Sequence, residues 1–293
     1  MSGAKTTLSL WIEVTEHCQI KCRFCYNAWR SENAKHHRHM SLECVEKLMA
    51  FASAYADDYE LKSIMAGGDA TAHPNWREIA KRLRAFGAVE IVTHGTTLSE
   101  DDIRFLRDEK IEIQFSIPSL KAENYRYLTG GACLENAMKS VARAVHYGVP
   151  MSISAVITSR NIDELDDFVE LCNTAVPLSL ILNKFIASGR GALYEAALEI
   201  DHDEFLGATK AAMTKNNGPT NVLISGHFSG VRGRKIASPK ITISSSGDLH
   251  LCSLAASRIG SVFQESENVI QSYLGFWTGS GSIDGCLCSQ QAH

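Results

Sequence analysis

Cys18-Gln-Ile-Lys-Cys22-Arg-Phe-Cys25-Tyr26 is the stretch on which the reading of this chain turns. Its three cysteines are spaced C-x3-C-x2-C, directly after an apolar run, Leu8 to Val14, that reads as a strand. Three thiolates on one loop can grip a single metal cluster, yet three is one too few to saturate the four irons of a cubane. A cluster held this way keeps one iron open, and an open metal position signals chemistry rather than scaffolding. Two plainer readings stand beside it. Structural zinc sites favour C-x2-C pairs with a second pair or a histidine pair downstream, and disulfides need an oxidising compartment. Met1 to Thr7 lacks the apolar region of a secretory signal, and no apolar run approaches the ~20 residues of a membrane span.

The bulk composition narrows the field. A length of 293 residues accommodates one large α/β domain with a small appendage, and 45% hydrophobic with 21% charged residues is ordinary for a globular protein. A net charge of −4 argues against a broad nucleic-acid-binding face. Nine cysteines without a signal segment point to a reducing cytoplasm, with no membrane partner. His36, His37 and His39 form a short polar cluster after the cysteines, which can bind metal but reads more readily as a solvated loop.

Outward from the cysteines, apolar periodicity alternates between the two periods. Ser41 to Tyr55 carries Leu42, Val45, Leu48, Met49 and Ala52 at helical spacing with Ser41 as N-cap, and Cys44 packs inside that helix. Leu61 to Ala66 reads as a strand ending in Gly67-Gly68-Asp69, where two glycines let backbone approach a ligand closely. Helices are then expected over Trp76–Phe86, Glu100–Arg107, Leu134–Tyr147 and Ile162–Cys172, the last capped by Asn161. Strands are expected over Val89–Thr93, Ile111–Ser116, Met151–Ile157 and Leu178–Leu182. Six strands alternating with helices imply parallel βαβ units and a partial (β/α)6 barrel over residues 8–200. In such barrels ligands gather at the C-terminal strand ends, where the cysteine loop, Gly-Gly-Asp and Ser116 all fall.

The ordered set of motifs resembles the radical S-adenosylmethionine (radical SAM) superfamily over roughly Leu8 to Gly191. Beyond the cysteine loop, Gly67-Gly68-Asp69 is similar to the family's Gly-Gly-Glu, and Thr93-His94-Gly95-Thr96 to its Thr-Asn-Gly-Thr. Ser116-Ile117-Pro118-Ser119 takes the place of a Ser-Leu-Asp-Gly segment. Tyr127-Leu128-Thr129-Gly130-Gly131, Asn161-Ile162-Asp163-Glu164-Leu165 and Gly189-Arg190-Gly191 resemble motifs of the subgroup with SPASM or twitch extensions.

The resemblance implies that Cys18, Cys22 and Cys25 hold a [4Fe–4S] cluster whose open iron takes S-adenosyl-L-methionine. It implies that Phe24 and Tyr26 lie near the adenine and that Gly67, Gly68 and Asp69 meet the methionine amino group. Ser116, with Ser154 and Arg126 as weaker candidates, would contact the ribose or carboxylate. The expected chemistry is reductive cleavage to a 5′-deoxyadenosyl radical and hydrogen abstraction from substrate, with flavodoxin or ferredoxin as electron donor. No catalytic residue is identified; His94 and Cys133, the latter in a glycine-flanked loop, are the candidates.

From about Asp201 the rhythm changes. A helix over Asp203–Thr214 precedes a hairpin, Ile241–Ser244 with Leu249–Leu251, ending at Cys252. Gly247-Asp248-Leu249-His250-Leu251-Cys252 resembles the G-x4-C element of the twitch domain, so residues 201–293 are expected to form an auxiliary-cluster extension. Cys252, Cys286 and Cys288 would ligate a second iron–sulfur cluster, with His227, His250, a barrel cysteine or substrate as fourth ligand or with that position open; a tail of plain thiols is the alternative. Peptide maturation is the leading expectation for function, with a separate peptide-recognition protein, since the barrel starts within ten residues of the first residue. A small molecule such as an aminosugar or nucleoside precursor is the second expectation, and a non-catalytic zinc module a remote third.

Overall fold

The computed structural model describes residues 5–27, 38–225, 239–254, 258–264, 270 and 273–274. His36, His37, His227, Cys286 and Cys288 lie outside the described residues.

The chain begins with β1 (Thr7–Thr15), α1 (Leu42–Ala56), β2 (Glu60–Gly67), α2 (Trp76–Arg84) and β3 (Gly87–Thr93). It continues through α3 (Glu100–Asp108), β4 (Glu112–Ser116), α4 (Ala122–Thr129), α5 (Leu134–Tyr147) and β5 (Met151–Ile157). There follow α6 (Leu165–Ala175), β6 (Ser179–Lys184), α7 (Glu195–Leu198), α8 (His202–Lys215) and β7 (Asn221–Ile224). Three short strands, β8 (Lys240–Ile243), β9 (Asp248–His250) and β10 (Gly260–Ser261), end the described chain. The class is α/β with parallel strands, as the alternating periods require.

The chain divides into two compact units. The first comprises Met1–His17, His36–Ile91 and Val231–His293. Within it β1 runs parallel to β2 in the register Leu8↔Leu61, and β2 parallel to β3 with Ser63↔Val89. Leu8, Leu10, Ile12 and Val14 of β1 have no exposed surface, because alternate residues of a strand share one face and this face is covered. Helix α1 starts where Ser41 Oγ accepts from Cys44 N at 3.1 Å, and it buries Val45, Leu48, Met49 and Ala52. Val45, Leu48 and Met49 each contribute about 1.5–3 kcal/mol on leaving water. The tail hairpin joins the same strands: β8 runs parallel to β1 with Leu10↔Ile241, and β9 folds back antiparallel on β8 through a turn at Gly247, φ +83°.

The second unit comprises Cys18–Lys35 and Val92–Gly230. Strands β4, β5, β6 and β7 are successively parallel, with Ser116↔Ser154, Val156↔Asn183 and Leu180↔Val222 in register. Ser99 and Asp102 form a reciprocal capping box at the start of α3, and Asp201 caps α8 through Asp203 N and Glu204 N. The helix expected over Ile162–Cys172 is instead a 3-10 turn, Ile162–Glu164, followed by α6. Asn161 makes no helix cap. Its Oδ1 accepts from Thr158 N at 2.7 Å, and its Nδ2 donates to Val156 O at 2.8 Å and to Pro118 O. The wholly buried Glu164 carboxylate accepts from Ser119 Oγ at 2.8 Å, Leu120 N at 2.6 Å and Asn124 Nδ2 at 2.8 Å. The Asn161 to Leu165 motif is thus a clasp on the segment that follows β4, satisfying its buried backbone groups. No described helix is long and apolar enough to cross a membrane.

Candidate functional site: the cysteine loop and the strand ends

In the second unit, three motifs far apart in sequence converge on the cysteine loop. The C-terminal turn of α4 exposes carbonyls that a helix cannot satisfy internally. Thr129 O accepts from Lys21 N at 3.2 Å, and Leu128 O from Arg23 N at 2.8 Å. Gly130 ends the helix at φ +73°, and a Cβ there would stand 2.5 Å from Lys21 O. At the other end of the loop, Gly191 N donates to Cys25 O at 3.1 Å and Ser188 Oγ to Tyr26 O at 3.2 Å. Gly189, at φ +55°, would place a Cβ within 2.5 Å of Asn27 O. Both glycines therefore serve close backbone approach to the loop.

His94 supplies the third hold. Its Nδ1 accepts from Thr96 N at 3.1 Å, which leaves the proton on Nε2 to donate to Gln19 Oε1 at 3.1 Å. Phe24 is buried against Leu128, Phe185 and Leu198, so its ring anchors the loop from below. Cys18, Cys22 and Cys25 are partly exposed, and none of the described cysteines is in a disulfide. Three thiols on one pinned loop suit an iron–sulfur cluster with one open iron, whereas a structural zinc site closes on four protein ligands. Among the described residues no three His, Cys, Asp or Glu side chains already stand in a metal-binding group.

Across β4, β5 and β6, the second unit carries a row of small polar side chains. Ser116 faces Ser154 in register, and Asn183 Nδ2 donates to Ser154 Oγ at 2.9 Å, leaving that hydroxyl proton for a further acceptor. Asn183 was not singled out by the sequence; its spacing from Ser154 shows only in the parallel register. Arg126 lines a cavity of about 390 Å³ with Arg23, Tyr127 and Arg160. The Arg23 and Arg160 guanidiniums each stack over the Tyr127 ring, 3.9 Å from its centre. Cys133 is exposed at the start of α5 and makes no capping bond.

In the first unit, Gly67 and Gly68 carry the end of β2 against the end of β1. A Cβ at Gly67 would lie 2.2 Å from Thr15 O, and one at Gly68 1.8 Å from His17 O. Gly68 N donates to Thr15 O at 2.6 Å and Asp69 N to His17 O at 2.9 Å. Asp69 is buried, and its Oδ1 accepts from Thr71 N and Thr71 Oγ1 at 2.9 and 2.5 Å. Its carboxylate caps the next turn. His39 Nδ1 lies 2.8 Å from Thr15 Oγ1, and its ring meets the buried His73 edge-on at 5.3 Å. His73 Nδ1 accepts from Asn75 N at 3.0 Å, and its Nε2 therefore donates to Met40 O, also at 3.0 Å.

The remaining cysteines divide by environment. Burial pushes the Cys44 and Cys172 thiols up to about 11, with Asp248 and Glu43 adding to the shift at Cys44. Cys252 is buried and its Sγ accepts from Leu254 N at 3.4 Å, while His250 pairs with Thr242 across β9 and β8.

Residues 12–172, more than half of the chain, match the Radical SAM superfamily. A probable GTP 3′,8-cyclase of Methanothermobacter marburgensis is 30% identical over 171 residues, 56% of this chain and 53% of that protein. A GTP 3′,8-cyclase of Syntrophomonas wolfei is 26% identical over 183 residues, covering 61% and 55%. The chain spans about half the length of the curated relatives it matches. Among solved structures, Streptococcus suis SuiB bound to S-adenosylmethionine is similar at TM-score 0.72 and 14% identity, covering 92% of this chain and 66% of that one. Native anSMEcpe with bound AdoMet matches at TM-score 0.70 and 15% identity, covering 90% and 80%. The pinned C-x3-C-x2-C loop, the strand-end glycines and the extent of the match place this chain in the radical SAM superfamily.

Proposed function

We propose that the chain cleaves S-adenosyl-L-methionine reductively and abstracts hydrogen from a peptide side chain or backbone during maturation of a natural product. The observation that carries the first half is the cysteine loop, held at Lys21, Arg23, Cys25 and Gln19 by three separate motifs. Cys18, Cys22 and Cys25 would hold the [4Fe–4S] cluster. When bound, that cluster supplies the electron that splits S-adenosylmethionine into methionine and a 5′-deoxyadenosyl radical. The residues proposed to hold S-adenosylmethionine are Phe24, Tyr26, Ser116, Arg126 and Ser154, with Gly67, Gly68 and Asp69. Because Asp69 Oδ1 is occupied by Thr71, backbone carbonyls rather than this carboxylate are proposed to meet the methionine amino group. Phe24 contributes from within the core, so backbone beside it is the proposed contact.

The peptide half is supported by likeness in fold to SuiB over 96% of this chain in a structure bound to the precursor peptide SuiA. A separate recognition protein and a flavodoxin or ferredoxin as electron donor are the proposed partners. We assign residues 201–293 to a twitch-like extension in which Cys252, with Cys286 and Cys288, ligates a second cluster. A second reading, a nucleotide or related small molecule as substrate, is favoured by the GTP 3′,8-cyclases among the sequence relatives. Deuterium-labelled substrates separate the two. Label entering 5′-deoxyadenosine from a precursor peptide supports the proposal, and label entering only from the nucleotide assigns the second reading.

A further inference from the structure

The first unit carries a polar group that neither the cysteine loop nor the strand-end glycines use. Ser9↔Lys240 and Trp11↔Thr242 are registered neighbours on β1 and β8, so their side chains share one face, opposite the covered Leu8, Leu10 and Ile12. On that face the Lys240 ammonium lies 4.3 Å from the Trp11 ring centre. Among the described residues it makes no ion pair. Two further donors stand beside it without a partner: the buried indole Nε1 of Trp11 and the Oγ1 of Thr242, a residue only 2% exposed. Buried polar atoms left unsatisfied are costly, so two of them next to a half-buried cation call for a function.

All three groups lack the same thing, an acceptor. A cation and two N–H or O–H donors on adjacent positions complement a planar anion with two oxygens. Glu13, 3% exposed, lies on the same face of β1 two residues beyond Trp11. Trp11 and Lys240 each keep part of their surface accessible, although the indole Nε1 and the Thr242 Oγ1 themselves are covered.

We propose that Lys240, Trp11 and Thr242 form a carboxylate-binding subsite, taking a carboxylate of the substrate or of another small acid. Lys240 supplies the charge, and the indole N–H and the hydroxyl fix the plane of the ligand. The assignment does not depend on radical chemistry, because binding is read without turnover.

The test is a titration of the anaerobic holoenzyme followed by the Trp11 indole Nε1–H resonance, identified by its loss in Trp11→Phe. The probes are N-acetylglycine, N-acetylglycinamide and inorganic phosphate. The expected result is a saturable shift with N-acetylglycine alone, weakened at least tenfold in Lys240→Met and retained in Lys240→Arg. Thr242→Val should weaken the same titration while leaving the protein folded. No saturable shift, equal shifts with the uncharged amide, tighter binding of phosphate, or unchanged affinity in Lys240→Met would each overturn the proposal.

Discussion

His94 Nε2 donates to Gln19 Oε1 at 3.1 Å, tying the residue after β3 to the residue that follows the first cysteine of the loop. The direction of that bond is set on the other side of the ring, where Nδ1 accepts from Thr96 N. His94→Ala removes a buried donor and a buried acceptor together. It should cost about 1–3 kcal/mol, read as a lower denaturant midpoint, and should speed iron loss to a chelator. His94→Gln, which restores a donor toward Gln19, should recover the chelator resistance before it recovers stability.

The glycines divide into those that permit close approach and those that do not. Gly68→Ala and Gly189→Ala place a methyl into backbone at 1.8 and 2.5 Å, and Gly189 adds a positive φ. Both variants should lose iron incorporation, measured as iron per chain after reconstitution. Gly207 lies inside α8 with nothing within 4 Å of its Cβ position. Gly207→Ala should therefore stabilise the protein by about 0.5–1 kcal/mol, seen as a higher melting temperature.

Glu164 holds three neighbours from one buried carboxylate. Glu164→Ala leaves Ser119, Leu120 N and Asn124 unpaired and should destabilise by roughly 2–4 kcal/mol, since bonds to a charged acceptor are each worth about 1.5–3 kcal/mol. Glu164→Gln should cost less but still measurably, because an amide turns one acceptor into a donor facing other donors. Equilibrium unfolding in urea checks the order.

Thiol reactivity should follow burial. The thiolate is the nucleophile, and a pKa raised to about 11 keeps Cys44 and Cys172 protonated at pH 8. Brief iodoacetamide treatment of the folded protein, followed by peptide mass mapping, should label exposed Cys133 and spare both. Labelling of all three at one rate would show that the helix-buried cysteines open to solvent.

Much of the fold was legible because strand and helix periods alternate cleanly from Leu8 to Leu182, and the cap at Ser41 uses a residue suited to that role. Helix α4 escaped notice: its two turns bury only Tyr125, Leu128 and Thr129, too few to set a period. The parallel pairing of β8 with β1 was equally hidden, since a four-residue strand carries no sign of a partner some 230 positions away. Asn161 looked like a cap because asparagine favours caps, but four hydrogen bonds to Thr158, Val156 and Pro118 claim its amide instead. Within the site, the cysteines and glycines were visible as spacing. That α4, His94 and Gly189 to Gly191 cradle one loop depends on tertiary contacts between residues 70 to 170 positions apart.

The central claim is best tested by anaerobic reconstitution with iron and sulfide, reduction with dithionite, and quantification of 5′-deoxyadenosine after adding S-adenosylmethionine. The wild-type chain should form 5′-deoxyadenosine and methionine in equal amounts, and Cys18→Ala, Cys22→Ala and Cys25→Ala should each abolish both while Gly207→Ala leaves them unchanged. A fully iron-loaded, reduced wild-type protein that forms no 5′-deoxyadenosine, or a Cys22→Ala variant that still forms it, would contradict the account.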